Sequence, residues 1–297
     1  MTEDIARYRG AIVCAFPDLA GAAFRPLTMG WQSLAIDVDD RLIFKFPRNE
    51  EAESALRREA RILAAVHPRL SMPVPDLQLF EKPMLFSRHA KIAGEHLLHD
   101  QYDRLPPAAR DRLADALALF HAELRALAPE AMQRAGAIEI KPWRPTTEIR
   151  TKALPLVPAE HRPLCQRALD LFESMEPDPL GTIYGFFDGH GWNMAFDHAR
   201  QRLNGVYDFA DSGFGSLHQD FIYSTFVSFD LARSIVDRYA RVTGRTIDKQ
   251  RIALLTGLHR LSELAELAED PRHVNMARDN IAFWATHLDT LSPSRLR

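Results

Sequence analysis

Cysteine is nearly missing from this chain, with only Cys14 and Cys165 in 297 residues. Two cysteines so far apart build neither a disulfide framework nor a CxxC metal knuckle. An excess of basic charge is also missing: the net charge is −3, which leaves no electrostatic footprint for a nucleic-acid partner. No uninterrupted apolar run approaches the ~20 residues that a membrane helix needs, so no membrane partner is expected. Twelve histidines are scattered through the sequence, with no HExxH pair to set two ligands on one helix face. Residues 1–4 carry neither the basic flank nor the apolar stretch of a signal peptide, so a cytoplasmic setting is expected. Internal repeats and low-complexity tracts are lacking too.

What is present is ordinary soluble-protein composition, 46% hydrophobic and 26% charged, in a chain long enough for one large or two modest cores. The most informative stretch runs from Tyr184 to Asn193 (YGFFDGHGWN) and is followed by Tyr207-Asp208-Phe209-Ala210-Asp211. Asp188 ends an apolar run, and a Gly-rich turn then delivers Asn193. Two strand-like pieces follow, Met194–Phe196 and Leu203–Tyr207, separated by the polar turn Asp197–Arg202, and the second runs into Asp208. This order of acid, amide, hairpin and acid offers hard oxygen ligands of the kind that suit Mg²⁺. An aspartate near such a metal can orient a hydroxyl nucleophile in phosphoryl transfer.

Upstream, the pattern predicts a helix over Ile5–Phe16 and then strands over Phe24–Met29, Leu34–Val38 and Arg41–Phe46, with turns at 30–33 and at Asp39-Asp40. Lys45 lies on the last strand among apolar neighbours, and by itself reads as an edge residue with a packed stem and a solvated ammonium. The next helix, Glu50–Val66, alters that reading. Its apolar stripe is Ala52, Ala55, Leu56, Ile62, Leu63 and Val66, and Glu59 falls inside the stripe. A carboxylate on a core-facing stripe is costly unless paired. A Lys45–Glu59 pair relieves both anomalies and can hold the lysine against a nucleotide's phosphates. Short strands over Leu77–Phe80 and Met84–Phe86 complete a small N-terminal lobe, drawn here as 1–90. The 87–94 segment would offer backbone groups to a base edge.

The remainder, 91–297, reads as mostly helical. A long helix is expected over Pro106–Ala126, with His121 beside its buried face as a core or rim histidine. Residues 128–145 carry several prolines and read as a loop or lid. Helices are expected over Glu148–Leu154, Ala159–Phe172, Asp230–Val242, Lys249–Leu267 and Val274–Leu288. Asp220 reads either as a helix N-terminal acid or as a hydrogen-bond acceptor for backbone near the metal loop. Glu263, Glu266 and Asp270 share one face, which would be either a solvated helix face or an attractor for a cationic substrate.

With these residues placed, the chain resembles the aminoglycoside phosphotransferase family, the antibiotic-kinase branch of the protein-kinase-like fold, over nearly its whole length. The family's His-Gly-Asp-x-His-x-x-Asn run stands here as Phe186-Phe187-Asp188-Gly189-His190-Gly191-Trp192-Asn193, and its Ile-Asp-Phe-Gly-Asp run as Tyr207-Asp208-Phe209-Ala210-Asp211. The Ser-Gly-Phe-Gly run leading to Asp220, the strand around Lys45 and the helix around Arg58-Glu59 are similar as well. Some local features resemble aminoglycoside 2″- and macrolide 2′-phosphotransferases. The resemblance implies an α+β, bilobal fold with a small β-meander-plus-helix N-lobe and a larger helical C-lobe. It implies Asp188 as catalytic base, Asn193 and Asp208 as Mg²⁺ ligands, and Lys45, fixed by Glu59, on the phosphates. Residues Gly30–Ser33 would form the loop over the phosphates, with Ser33 contributing to nucleotide binding. The co-substrate would be ATP or GTP and the acceptor a hydroxyl of a small molecule, whether an aminoglycoside- or macrolide-like antibiotic or a metabolite alcohol. The departures are Phe186 and Phe187, which stand where the family has His-Gly. They keep a second reading open, a pseudokinase that binds nucleotide or a metabolite without transferring phosphate. Oligomeric state is not legible.

Overall fold

The computed structural model describes residues 5–27 and 33–291. The chain gathers into two compact units, one of residues 1–95, 127–137 and 195–210, the other of 96–126, 138–194 and 211–297.

The first unit opens with helix α1 (Ile5–Ala15) and is built on a five-stranded antiparallel sheet of β1 (Phe24–Leu27), β2 (Ser33–Val38), β3 (Leu42–Pro47), β4 (Gln78–Phe80) and β5 (Phe86–Ala90), ordered β1-β2-β3-β5-β4. Strand alternation gives the sheet two unlike faces. Leu34, Ile36, Val38, Phe44, Phe46 and Phe86 point to one side, where Ala11, Ile12 and Leu19 close a buried core over them. Register places Ala35 opposite Lys45 and Lys45 opposite Ser87, with Asp37, Ile43 and His89 in the next row. That second face is the polar one. Helix α2 (Glu50–Val66) follows β3, and its N-cap is Asn49, whose side chain accepts from the Ala52 N–H at 2.8 Å. Every residue of the apolar stripe is buried, and so is Glu59.

Two expectations in this unit need correcting. The strand expected at Met84–Phe86 begins only at Phe86, and it continues through Ser87, Arg88 and His89, polar residues that conceal it in the sequence. The segment expected as an irregular loop contains a helix, Pro129–Ala135. Pro129 sits at its first turn, where the missing N–H costs nothing, and Gly136 ends it with φ 96°. The Gly136 position also admits the Arg61 side chain, whose Nε donates to Ala135 O at 3.3 Å.

The second unit is mostly helical. Helix Pro107–Arg125 packs on Phe229–Thr243, and Lys249–Glu266 packs on Val274–Leu291. Among the described residues no helix is long and apolar enough to cross a membrane. A short antiparallel pair, Thr182–Gly185 with Gly213–Ser216, leads into the segment that carries Asp188. Its approach is pinned by Asp178, whose Oδ2 accepts from the His218 N–H at 3.1 Å and lies 2.7 Å from His218 Nδ1, while His218 Nε2 accepts from the Asp248 N–H at 3.0 Å. Burial acts to raise the Asp178 carboxyl, but its bonds to His218 and the Leu180 N–H outweigh that and hold it near about 2.

A folded-state pKa below the unfolded one contributes stability above the unfolded value and loses it as pH falls. The contribution of Asp178, about 2 kcal/mol, is therefore expected at pH 5 and above and should disappear between pH 4 and 2. Urea unfolding of wild type and Asp178→Asn across that range checks it, the two curves converging at the acid end.

Candidate active site

Lys45, Glu59 and Asp208 come together within the first unit. Lys45 Nζ lies 3.2 Å from Glu59 Oε1 and 3.1 Å from Asp208 Oδ1. Glu59 Oε1 also accepts the backbone N–H of Phe209 at 3.0 Å, so one buried carboxylate ties β3, α2 and the residue after Asp208. Glu59 is 3% exposed, while the Asp208 side chain is 45% exposed. Burial disfavours charge on Lys45, but the charges of Asp208 and Glu59 outweigh it and keep the ammonium protonated. Burial also pushes Glu59 upward, opposed chiefly by Lys45. Asp208 has φ 69°, a left-handed conformation that aspartate tolerates better than most residues.

Ser33 opens β2 opposite Pro47. Gly30, Trp31 and Gln32, expected in the phosphate loop, and Met29, expected in β1, lie outside the described residues. The polar sheet face around Lys45 holds two residues that sequence reasoning passed over. Ser87 Oγ is buried and has no hydrogen-bond partner among the described residues. His89 is pushed down to about 4, mainly by burial, and its Nδ1 lies 2.9 Å from Ala90 O. The strand alternation of Ser87 and His89 with Phe86 and Arg88 was the available signal.

Asp188 and Asn193 come together within the second unit. Asn193 Nδ2 donates to Asp188 O at 3.0 Å and to Asp188 Oδ2 at 2.5 Å. Because both partners are acceptors, the amide nitrogen faces Asp188 and the carbonyl oxygen Oδ1 is turned away from it. His190 Nε2 lies 3.0 Å from the other carboxylate oxygen, Oδ1. His190 thus joins Asp188 and Asn193, a contact that their spacing in the motif did not disclose. Among the described residues no group of three His, Cys, Asp or Glu gathers as a metal cluster. Asp208 in the first unit and Asn193 in the second each carry a hard oxygen of the kind that suits Mg²⁺.

The Phe186-Phe187 pair has its own support. Phe186 is fully buried and meets the Phe120 ring edge-on, with centroids 5.6 Å apart. Phe187 has φ 54°, a conformation that costs an L-residue about 1–2 kcal/mol. The Asp220 carboxylate offsets this, since its Oδ1 accepts the N–H of Phe186 at 3.1 Å and of Phe187 at 2.7 Å. Its Oδ2 lies 3.0 Å from His121 Nδ1, and both side chains are buried. A Cβ at Gly185 would meet Asp220 Oδ2 at 2.7 Å, and one at Gly215 would meet the Phe187 ring at 2.7 Å. Both glycines are there for space. His121 is thus a core histidine with a specific task, bracing Asp220 and through it the backbone before Asp188.

Lys45→Met should lower unfolding stability by about 3 kcal/mol at pH 7, because it leaves Glu59 buried without its cation. In the variant, burial and the neighbouring Asp208 charge set Glu59 above its unfolded value, so the loss should shrink as pH falls through 5 towards 4. Denaturant titrations at both pH values measure it.

The sequence profile of the phosphotransferase enzyme family, APH, matches residues 23–273. No curated protein matches the chain by sequence. Among solved structures, wild-type aminoglycoside 2′-phosphotransferase-IIIa in its GDP complex superposes with a TM-score of 0.81 at 20% identity, covering 96% of this chain and 99% of that one. The GDP and kanamycin complex of APH(2″)-IIIa gives 0.75 at 20% identity over 96% and 98% of the two chains. Macrolide 2′-phosphotransferase MphH from Brachybacterium faecium, as apoenzyme, gives 0.64 at 17% identity over 94% and 96%. These likenesses establish the kinase-like fold, and with the profile spanning most of its length, the chain belongs to the APH phosphotransferase enzyme family.

Proposed function

We propose that this protein transfers the γ-phosphoryl group of ATP or GTP to a hydroxyl of a small molecule. The observation that carries the reading is the Lys45 ammonium held between Glu59 and Asp208 on the polar face of the sheet. A buried cation so fixed suits phosphate oxygens, and Glu59 holds it in place. Backbone groups of 87–94 are assigned to the base edge and Ser33 to the nucleotide. Asp208 and Asn193 are assigned to Mg²⁺, which when bound neutralises charge on the phosphates.

Asp188 orients the acceptor hydroxyl and takes its proton as the hydroxyl oxygen bonds to the γ-phosphorus and the bond to the departing nucleoside diphosphate breaks. Asn193 and His190 hold its two oxygens, so the carboxylate enters the reaction already positioned. The protein's contribution is thus positioning and charge neutralisation. By their descriptions, the two aminoglycoside phosphotransferase structures carry GDP, one of them together with kanamycin. For this chain an aminoglycoside, a macrolide-like alcohol and a metabolite alcohol are all candidate acceptors. A cytoplasmic setting and the absence of nucleic-acid and membrane partners belong to the same proposal.

The binding-module reading draws on Phe187, whose left-handed backbone is unusual for a bulky residue. Against it, the Asp220 carboxylate accepts the N–H groups of both Phe186 and Phe187 and so fixes the backbone before Asp188.

A phosphate-transfer screen with both nucleotides and a broad alcohol panel separates the two readings. Asp188→Ala should lower kcat by about 10²–10⁴-fold with nucleotide affinity nearly unchanged. Asp208→Ala should abolish Mg²⁺-dependent nucleotide binding. Normal turnover in both variants would refute the kinase assignment. Mg²⁺-dependent stabilisation by nucleotide without product from any acceptor would favour the binding module.

A further inference from the structure

The segment that begins at Asp220 reaches the loop of Asp188 twice. At its start, the Asp220 carboxylate accepts the N–H groups of Phe186 and Phe187, just before Asp188. At its far end is Phe226, the last residue of the short helical turn Phe221–Phe226, and there it meets the loop just after Asp188. The His190 ring lies nearly parallel to the Phe226 ring, with an interplanar angle of 19° and centroids 6.4 Å apart. Gly191 seats against the following residue, since a Cβ on it would meet Val227 Cγ2 at 3.1 Å and would collide with Leu97 O.

The Phe226 contact bears on Asp188 through His190. An ionised carboxylate can only accept, so the hydrogen between His190 Nε2 and Asp188 Oδ1, 3.0 Å apart, sits on the imidazole. Gly189 and Gly191 flank His190 and offer no side chain to brace its ring. Phe226 supplies a surface for the ring to lie on. Phe226 is itself clamped, with Tyr223 edge-on at 5.5 Å, His259 at 5.3 Å and the Arg260 guanidinium 3.3 Å from its centroid.

Arg260 is the costly member of this group. It is only 9% exposed, and taking its charge out of water is unfavourable unless the charge is met. Glu263 meets it at 2.9 Å, and the face of Phe226 rewards a desolvated cation in a way that an aliphatic neighbour would not. Glu263 and Glu266, legible in the sequence only as a solvated face or a cation attractor, thus both have resident cations, Glu266 being 3.3 Å from Lys141.

We propose that Arg260 and Phe226 are positioning residues for phosphoryl transfer. Arg260 fixes the Phe226 ring, Phe226 fixes the His190 ring, and His190 fixes the Asp188 carboxylate. The proposal rests on the kinase reading, since it presumes that Asp188 serves the reaction. One segment, 220–226, then grips Asp188 from both sides, by backbone before it and by a ring after it.

Long-range proton–nitrogen NMR spectra of the imidazoles in the full chain show which nitrogen of His190 carries hydrogen, and His190→Gln assigns the signal. Wild type and Arg260→Lys should show a single His190 form with hydrogen on Nε2. Arg260→Met and Phe226→Leu should show His190 exchanging between both tautomers. The second readout is phosphate release from Mg²⁺-ATP and Mg²⁺-GTP with water as acceptor. There kcat should fall about tenfold in both variants while the nucleotide KM stays within about twofold of wild type, and Arg260→Lys should recover most of the loss. Each variant is checked for a native circular-dichroism spectrum, and either serves alone if the other does not fold. An unchanged His190 signal in a folded Arg260→Met or Phe226→Leu variant overturns the proposal, and so does a loss of turnover that Arg260→Lys shares in full. Absence of turnover in wild type, here and in the alcohol screen, would remove the kinase reading, whereas the spectra decide the positioning chain by themselves.

Discussion

A carboxylate taken out of water must be paired, and in the first unit that requirement falls on Glu59. Its pairing with Lys45 and with the Phe209 N–H fixes three stretches of chain at one point, although Phe209 is 150 residues away in sequence. Left unpaired, such a charge would cost several kcal/mol, comparable to much of a domain's net stability. The polar face of the sheet is consequently the organised one. Lys45 is held charged there, beside Ser87 and a neutral His89, while the opposite face is ordinary aromatic core.

The second unit uses a buried carboxylate in a similar way. Asp220 accepts two successive backbone N–H groups and meets His121, which fixes the backbone immediately before Asp188. The strained Phe187 and the packed Phe186 are sustained by this bond set. Phe186 and Phe187, which stand where the family has His-Gly, are thus held by packing and by Asp220, and Asp188, Asn193 and Asp208 keep their places in the motifs.

Where one element's own periodicity carried the information, the sequence was readable. Glu50–Val66 has the bounds that its stripe implies, and Glu59 is buried because helical geometry puts it on that stripe. The β-meander followed from its turns and alternation. The strand at Phe86–Ala90 escapes the apolar pattern because Ser87 and His89 make its second face polar, and Pro129 opens a helix in a stretch whose prolines imply a loop or lid. Partners distant in sequence were the least legible. Nothing local to His121 points to Asp220, nothing in the spacing of the loop shows His190 turning back to Asp188, and the acidic residues of Lys249–Glu266 gave no sign of the cations that meet them. Such pairs are set by tertiary packing, which a single sequence encodes only collectively.

The roles assigned to Lys45, Asn193 and Asp208 are most directly tested by a crystal structure of the chain with Mg²⁺ and a non-hydrolysable ATP or GTP analogue. The account predicts Lys45 Nζ within hydrogen-bond distance of a phosphate oxygen and still paired with Glu59. It also predicts Asn193 Oδ1 and an Asp208 carboxylate oxygen on the metal at about 2.1 Å. A nucleotide bound elsewhere, or a metal held without either residue, would contradict it.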